Sequence, residues 1–226
     1  MKKLTDYILK ALKEYYNLTE EEIYEKIENN MEEVNEEWYK SRDVISFYKE
    51  TDNYVFGLAS FNTKDRVDRS IYPAKDGENA KILDFGGGIG EIGMRFSKKN
   101  TVFYYDISPK IEKFARFLSK KTNRKLTFLT EKEVFNQKYN CIFLLDVLEH
   151  LENPMETLKK LCNCLGEKDV LITTGLDFLV SYTHPMHLKE NFEFRDEYHT
   201  FMKKNFTLYF LHCTVDGNIQ GWVKKR

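Results

Sequence analysis

The sequence predicts an α/β protein with a mostly parallel sheet, helices on both of its faces, an antiparallel C-terminal hairpin and an N-terminal helical cap. Three observations carry that expectation. After residue 80, short apolar runs alternate with amphipathic segments of helical period, the pattern of parallel strands joined by helical crossovers. Two strand-like runs near the C-terminus meet at Asp216-Gly217, a strong hairpin signal. Before residue 80, apolar residues recur at helical spacing. The chain therefore divides into a helical cap with its connecting segment, residues 1–79, and a sheet domain, residues 80–226.

Each element follows from local pattern. "LTDYILKALKEYY" puts Leu4, Ile8, Leu12 and Tyr15 or Tyr16 on one stripe. "LTEEEIYEKIENNMEEVNEEWY" opens with Thr19 and Glu22 in capping-box spacing and continues through Ile23, Ile27, Met31, Val34 and Trp38, so one helix is expected there. Ser41 is the expected cap of a short third helix, "RDVISFYKE". Residues 54–80 alternate poorly and end in turn formers, which reads as a loop with one short element. "KILDF", "TVFYYDI", "KLTFLT", "YNCIFLLDVLEH" and "DVLITTG" are the five parallel strand candidates. Between them lie "IGEIGMRFSKKN", "SPKIEKFARFLSKKTN" with Ile111, Phe114, Ala115 and Leu118 on one side, and "PMETLKKLCNCLG", expected to stop at Gly166. "FTLYFLHCTVDGNIQGWVKK" supplies the hairpin.

Composition narrows the function. A chain of 226 residues, 42% of them hydrophobic, can bury one sizeable core. With 35 basic and 36 acidic residues there is no bulk electrostatic case for nucleic acid or an anionic membrane. No apolar run reaches the roughly 18 to 20 residues of a membrane span. "MKKLTDYILKALKEYY" starts like a signal peptide but returns to Lys and Glu with no small-residue cleavage site, so a cytoplasmic location is expected. Cys141 and Cys213 fall in strand candidates. Cys162 and Cys164, two apart on a helix, point in different directions, so all four are expected to be free thiols.

The stretch "ILDFGGGIGEIG" demands a ligand. Gly86, Gly88 and Gly90 follow the first strand directly, where open parallel sheets bind ligands beyond the strand ends. Without side chains they let a ligand approach backbone amides at a helix start. No Gly-Lys-Ser/Thr follows, so this is no Walker loop, and Glu91 stands where a dinucleotide fingerprint needs its third glycine. Asp106 closes the second strand roughly 20 residues on, where a carboxylate accepts both hydroxyls of a ribose. A ribonucleoside ligand is expected, with NAD and S-adenosylmethionine both admissible on pattern alone.

"ILDFGGGIGEIG", "VFYYDISPKIEKFAR" and "FLLDVLEHLENP", in this order and at these separations, resemble the class I S-adenosylmethionine-dependent methyltransferases over roughly residues 80 to 180. The resemblance implies a Rossmann-like fold, S-adenosylmethionine as cofactor and methyl transfer as the reaction. It implies Asp84 and the backbone from Gly86 through Gly88 to Gly90 around the methionine portion, Asp106 on the ribose and Ile107 near the adenine. Thr130 and Glu131 fall where such enzymes contact the adenine amino group, although "FLTEKE" replaces a more familiar Asp-bearing strand end. Asp146 and Val147 would lie beneath the methionine.

The acceptor side is less determined. His150 is the first candidate for a base, since an imidazole titrates near neutrality. "SYTHPMHLKENFEF" brings His184 and His187, with Tyr182, to a neighbouring loop that should open at the same cleft. Asp146, Glu149 and His150, with His184 or His187, could also make an oxygen/nitrogen metal site, loosely resembling metal-dependent small-RNA 3′-end methyltransferases, but the expectation is of no metal. An aromatic-rich cap, including Tyr7, Trp38, Phe47 and Tyr48, suits a small-molecule acceptor with an apolar or planar part. The rival readings are an NAD-dependent oxidoreductase, a non-catalytic nucleotide-binding partner subunit and a metal-dependent RNA 3′-end methyltransferase.

Overall fold

The computed structural model describes residues 4–62, 64–74, 77–174, 185–214 and 217–226. Helix α1 (Asp6–Tyr16) buries Ile8, Ala11 and Leu12, the expected stripe, and ends at Asn17 in the left-handed region. Helix α2 (Glu20–Glu28) begins with the Thr19–Glu22 capping box read from the sequence. The single long helix expected after it is broken: α3 (Asn30–Lys40) starts anew beyond Asn29. Two adjacent asparagines are poor helix formers, and Asn30 turns inward, donating from Nδ2 to the Asn53 carbonyl at 2.6 Å. Ser41 closes α3 by donating its hydroxyl to the Trp38 carbonyl (2.7 Å), and Asp43 instead caps α4 (Val44–Glu50) by accepting from the Ser46 N–H at 2.8 Å.

The segment read as mostly loop forms two helices, α5 (Tyr54–Phe61) and α6 (Lys64–Ile71). The "YVFGLASF" of α5 is apolar on nearly every side, so it shows no amphipathic period, yet such a helix forms when it is enclosed. Val55, Phe56 and Ala59 are buried.

The sheet domain follows in order: β1 (Lys81–Phe85), α7 (Glu91–Phe96), β2 (Thr101–Tyr105), α8 (Pro109–Lys121), β3 (Thr127–Phe128), the single turn α9 (Glu131–Val134), β4 (Tyr139–Leu144), α10 (Pro154–Asn163), β5 (Leu165–Thr173), α11 (Arg195–Asn205), β6 (Phe206–Thr214) and β7 (Gly217–Lys224). The strands lie in the order β3-β2-β1-β4-β5-β7-β6. β1 to β5 are mutually parallel, and β7 runs antiparallel to both β5 and β6. This is the expected fold class, with helix α11 added between the parallel strands and the hairpin. Helix α10 stops at Asn163, short of Gly166. Gly166 instead lies in β5, its N–H donated to the Asp169 carboxylate at 2.7 Å, where Lys168 takes a positive φ of 65° and the register against β4 shifts.

Strand alternation builds two apolar layers. Ile82, Val102, Tyr104, Phe143 and Ile172 face one side and share a cluster with Ile8, Leu12 and Ile23 of the N-terminal helices and Phe114 and Leu118 of α8. Leu83, Phe103, Ile142, Leu144 and Leu171 face the other, against Leu158 and Leu161 of α10 and Tyr198 and Met202 of α11. The N-terminal helices therefore complete one sheet face. Leu12 is fully buried there, so Leu12→Ala is expected to cost about 2–5 kcal/mol in urea unfolding. A loss under about 1 kcal/mol would mean that α1 contributes little to holding the sheet together.

A third, smaller cluster joins Val34, Phe47, Tyr48 and Met186, with Trp38, Tyr54 and Ile107 packed against it. It carries the cap across to the strand ends. Cys141, Cys162, Cys164 and Cys213 are free, the last exposed. Among the described residues, no helix is long and apolar enough to cross a membrane.

Candidate functional site

The loop after β1 is held from beneath by β2. The Gly86 and Gly87 N–H groups donate to the Tyr105 carbonyl at 2.8 and 3.1 Å. Gly86 has φ +66°, and a Cβ on it would stand 2.5 Å from Val147 Cγ2. Both the conformation and the space require glycine. Gly88, at φ +54°, is gripped on both sides: its N–H donates to Asp106 Oδ2 (2.9 Å) and its carbonyl accepts from the Tyr104 hydroxyl (2.6 Å).

The two strand-end aspartates hold different parts of the loop. Asp84 is buried, and its Oδ2 accepts from the Gly93 N–H at 2.9 Å, tying β1 to α7. Burial pushes its carboxyl up to about 7. Asp106 accepts from Gly88 through Oδ2 and from the Ser108 N–H through Oδ1, both at 2.9 Å. Burial raises its carboxyl to about 6, against those two N–H groups, which favour the anion.

Above these strand ends lies a cavity of about 1140 Å³. Asp84, Gly86, Gly88, Asp106, Ile107, Glu131, Asp146 and Val147 line it, as do Gly87 and the cap residues Tyr48, Tyr54, Leu58 and Arg66. Two sequence-derived candidates stand outside its lining. Gly90 instead turns the chain into α7 at φ +80°, and Thr130 caps α9 through a reciprocal bond with Glu133, its side chain bordering a smaller hollow beside Asp106.

Asp146 has φ +52°, and its N–H donates to Thr174 Oγ1 at 2.8 Å. Its carboxylate pairs with Arg66 of α6, whose guanidinium lies 5.2 Å from the Phe61 ring centre. Sequence reasoning misses this cap-to-sheet ion pair, because nothing in "TKDRVDRS" separates Arg66 from an ordinary surface arginine.

After β4, Leu148–His150 form one tight turn. Asn191 clamps it, donating Nδ2 to the carbonyls of Leu148, Glu149 and Leu151 at 3.3, 3.1 and 2.8 Å. His150 Nδ1 is 3.1 Å from the Met186 carbonyl, and its ring meets those of Tyr48 and His187 edge to face, with centres 5.7 and 4.8 Å away. Glu149, His150 and His187 thus converge, with one ligand-capable atom of each within 4.8 Å of the others. Of the metal set considered from sequence, Asp146 is turned to Arg66 instead. His184, with Tyr182, lies outside the described residues.

Comparison with known proteins bears on this geometry. A sequence profile described as "Methyltransferase domain" matches residues 61–208. No curated protein matches the chain in sequence. Among solved structures, the chain is similar to magnesium protoporphyrin IX methyltransferase from Synechocystis PCC 6803 with bound SAH, at 18% identity and TM-score 0.57, covering 84% of this chain and 94% of that one. It is also similar to the N-methyltransferase NodS from Bradyrhizobium japonicum WM9 in complex with S-adenosyl-L-homocysteine, at 12% identity and TM-score 0.53, covering 72% and 87%. A third similar structure is the [4+2]-cyclase SpnF, at 12% identity and TM-score 0.52, covering 73% and 64%. At such identities the likeness is one of fold.

Proposed function

We propose that this chain, which belongs to the methyltransferase-domain family, is a class I S-adenosylmethionine-dependent methyltransferase that acts on a small-molecule acceptor held beneath its own N-terminal helices. The observation that carries the reading is one cavity with two unlike walls. Its volume, about 1140 Å³, exceeds the roughly 300–1,000 Å³ of an ordinary small-molecule site. It has room for a cofactor and an acceptor together.

On the sheet wall, the residues suit S-adenosylmethionine. The Asp106 carboxylate can accept the two ribose hydroxyls, and the Gly86 to Gly88 backbone, which lines the cavity without side chains, leaves room for the methionine portion. Ile107 offers an apolar surface for the adenine. When bound, the cofactor supplies an electrophilic methyl on a sulfonium.

The cap wall would select and align the acceptor. Tyr48, Tyr54 and Leu58 give it an apolar, partly aromatic surface, and by enclosing the reacting atoms they exclude water. Burial holds the Tyr48 and Tyr54 hydroxyls protonated, so they can donate to an acceptor's polar edge. His150 and His187 border the same cavity, and on this reading they would take up a proton that the acceptor releases. On this reading the two parts of the chain divide the work at residue 80, with the cap holding the acceptor and the sheet holding the cofactor.

Family membership favours this reading over an NAD-dependent oxidoreductase. Another rival, a partner subunit without turnover, is separated by experiment. Incubation with S-adenosylmethionine and a panel of small acceptors should yield S-adenosylhomocysteine and a product one methyl group heavier by mass spectrometry. Cofactor binding with no such product across hydroxyl, amine, thiol and carbon acceptors would favour the partner subunit.

A further inference from the structure

We propose that Glu149, His150 and His187 form a binding site for one divalent first-row transition-metal ion at the acceptor end of the cavity. The ligand atoms of the three lie within 4.8 Å of one another. Three donors on bonds of about 2.0–2.2 Å can stand at most about 3.8 Å from one another, so the widest of these separations would have to close by about 1 Å through side-chain rotation.

Three further features point the same way. Glu149 Oε2 is buried without a hydrogen-bond partner, an arrangement that needs a compensating group. The Met186 carbonyl can only accept, so His150 must carry its proton on Nδ1, 3.1 Å away. In that tautomer Nε2 is the unprotonated ring nitrogen, and the bond to Met186 orients the ring, as the outer shell of a metal site does. The two segments bearing the ligands are also locked together, since Leu188 donates its N–H to the Glu149 carbonyl at 3.0 Å while Asn191 binds the same carbonyl.

Ligand chemistry narrows the ion. Two imidazoles and one carboxylate are too nitrogen-rich for Mg²⁺ or Ca²⁺ and suit Mn²⁺, Fe²⁺, Co²⁺ or Zn²⁺. Arg66, a cation on the same cavity wall, is neutralised by its pair with Asp146. All three ligand residues border the cavity, so three protein donors leave coordination positions for an oxygen of the acceptor. A bound hydroxyl would be acidified there, which replaces a free imidazole as the means of removing its proton. That last role rests on the methyltransferase reading; the ion site itself does not.

The test uses the full-length protein, dialysed against chelator and titrated with Co²⁺ while visible d–d absorption is followed, with Zn²⁺ as competitor. Saturation at one ion per chain is expected. Glu149→Gln and His187→Ala should each weaken it at least 10-fold, while S-adenosylhomocysteine binding by the same samples is retained. If His187→Ala loses its native circular dichroism, His187→Asn takes its place. Absence of saturable Co²⁺ uptake by the folded protein would overturn the proposal, as would uptake unchanged in both variants. Loss of S-adenosylhomocysteine binding by the unsubstituted protein would instead count against the cofactor reading and leave the ion titration to be judged alone.

Discussion

Asp106→Ala is expected to weaken S-adenosylhomocysteine binding by roughly 10- to 150-fold, the factor that corresponds to about 1.5–3 kcal/mol for hydrogen bonds to a charged group. Two losses combine in that number. The carboxylate offers its free lone pairs to the ribose, and its occupied ones already hold the Gly88 and Ser108 N–H groups at 2.9 Å. Removing it therefore loosens the glycine loop as well as emptying the ribose contact. A pH series adds an independent check. Because burial raises this carboxyl to about 6, the acceptor form is depleted below that value, and affinity should fall as pH drops through about 6. Asp106→Asn keeps the shape and cannot titrate, so its weaker binding should be flat across the same range. Calorimetry from about pH 5 to 8 measures both. Unchanged affinity in a folded alanine variant would remove Asp106 from the site.

The sheet half of this molecule was legible because its signals are local. A strand of four or five apolar residues, a glycine-dense turn and an amphipathic helix each declare themselves within a dozen positions, and their alternation implies the topology. Asp106 could be placed for the same reason: the end of a parallel strand beside a glycine loop is a fixed address. The cap resisted because its logic is tertiary. Helix α5 is apolar all round, so no period marks it, and only the enclosure supplied by α2, α3 and the sheet makes it a helix. The break at Asn29 depends on where the Asn30 side chain finds a partner 23 residues away. Arg66 meets Asp146 across 80 positions. Among the histidines, the strand-end rule brought His150 and His187 to one cleft, but their convergence with Glu149 depends on Asn191, which carries no motif at all.

The second large effect is on stability. Four carboxyls are raised by burial: Glu91, Asp84 to about 7, Asp106 to about 6, and Glu149 to about 8, with Asp146's charge adding to the last. In the unfolded chain each returns to the ordinary carboxylate range near 4. Between that range and its raised value, each group keeps its proton when folded and loses it when unfolded. The unfolded state then binds fewer protons, so stability falls as pH rises, by up to roughly 1.4 kcal/mol per pH unit for each group. The ligand-free, chelator-treated protein should accordingly be more stable at about pH 5.5 than at about pH 8, by a few kcal/mol on the same scale. Above about 8 Asp84, Asp106 and Glu149 add no further slope, being ionised in both states, and a continued fall comes from buried thiols such as Cys141 and Cys162, which burial keeps protonated after their unfolded counterparts ionise. Asp84 is the most informative of them because it is buried and its defined partner is the Gly93 N–H, 2.9 Å from Oδ2. In Asp84→Asn the amide oxygen can keep that bond, and no charge has to be desolvated. The variant should gain stability at about pH 8, gain little at about pH 5.5, and show a shallower slope between. Urea unfolding at several pH values would measure this, and an asparagine variant with the same slope as the original chain would show that Asp84 is already ionised at the acid end of the range.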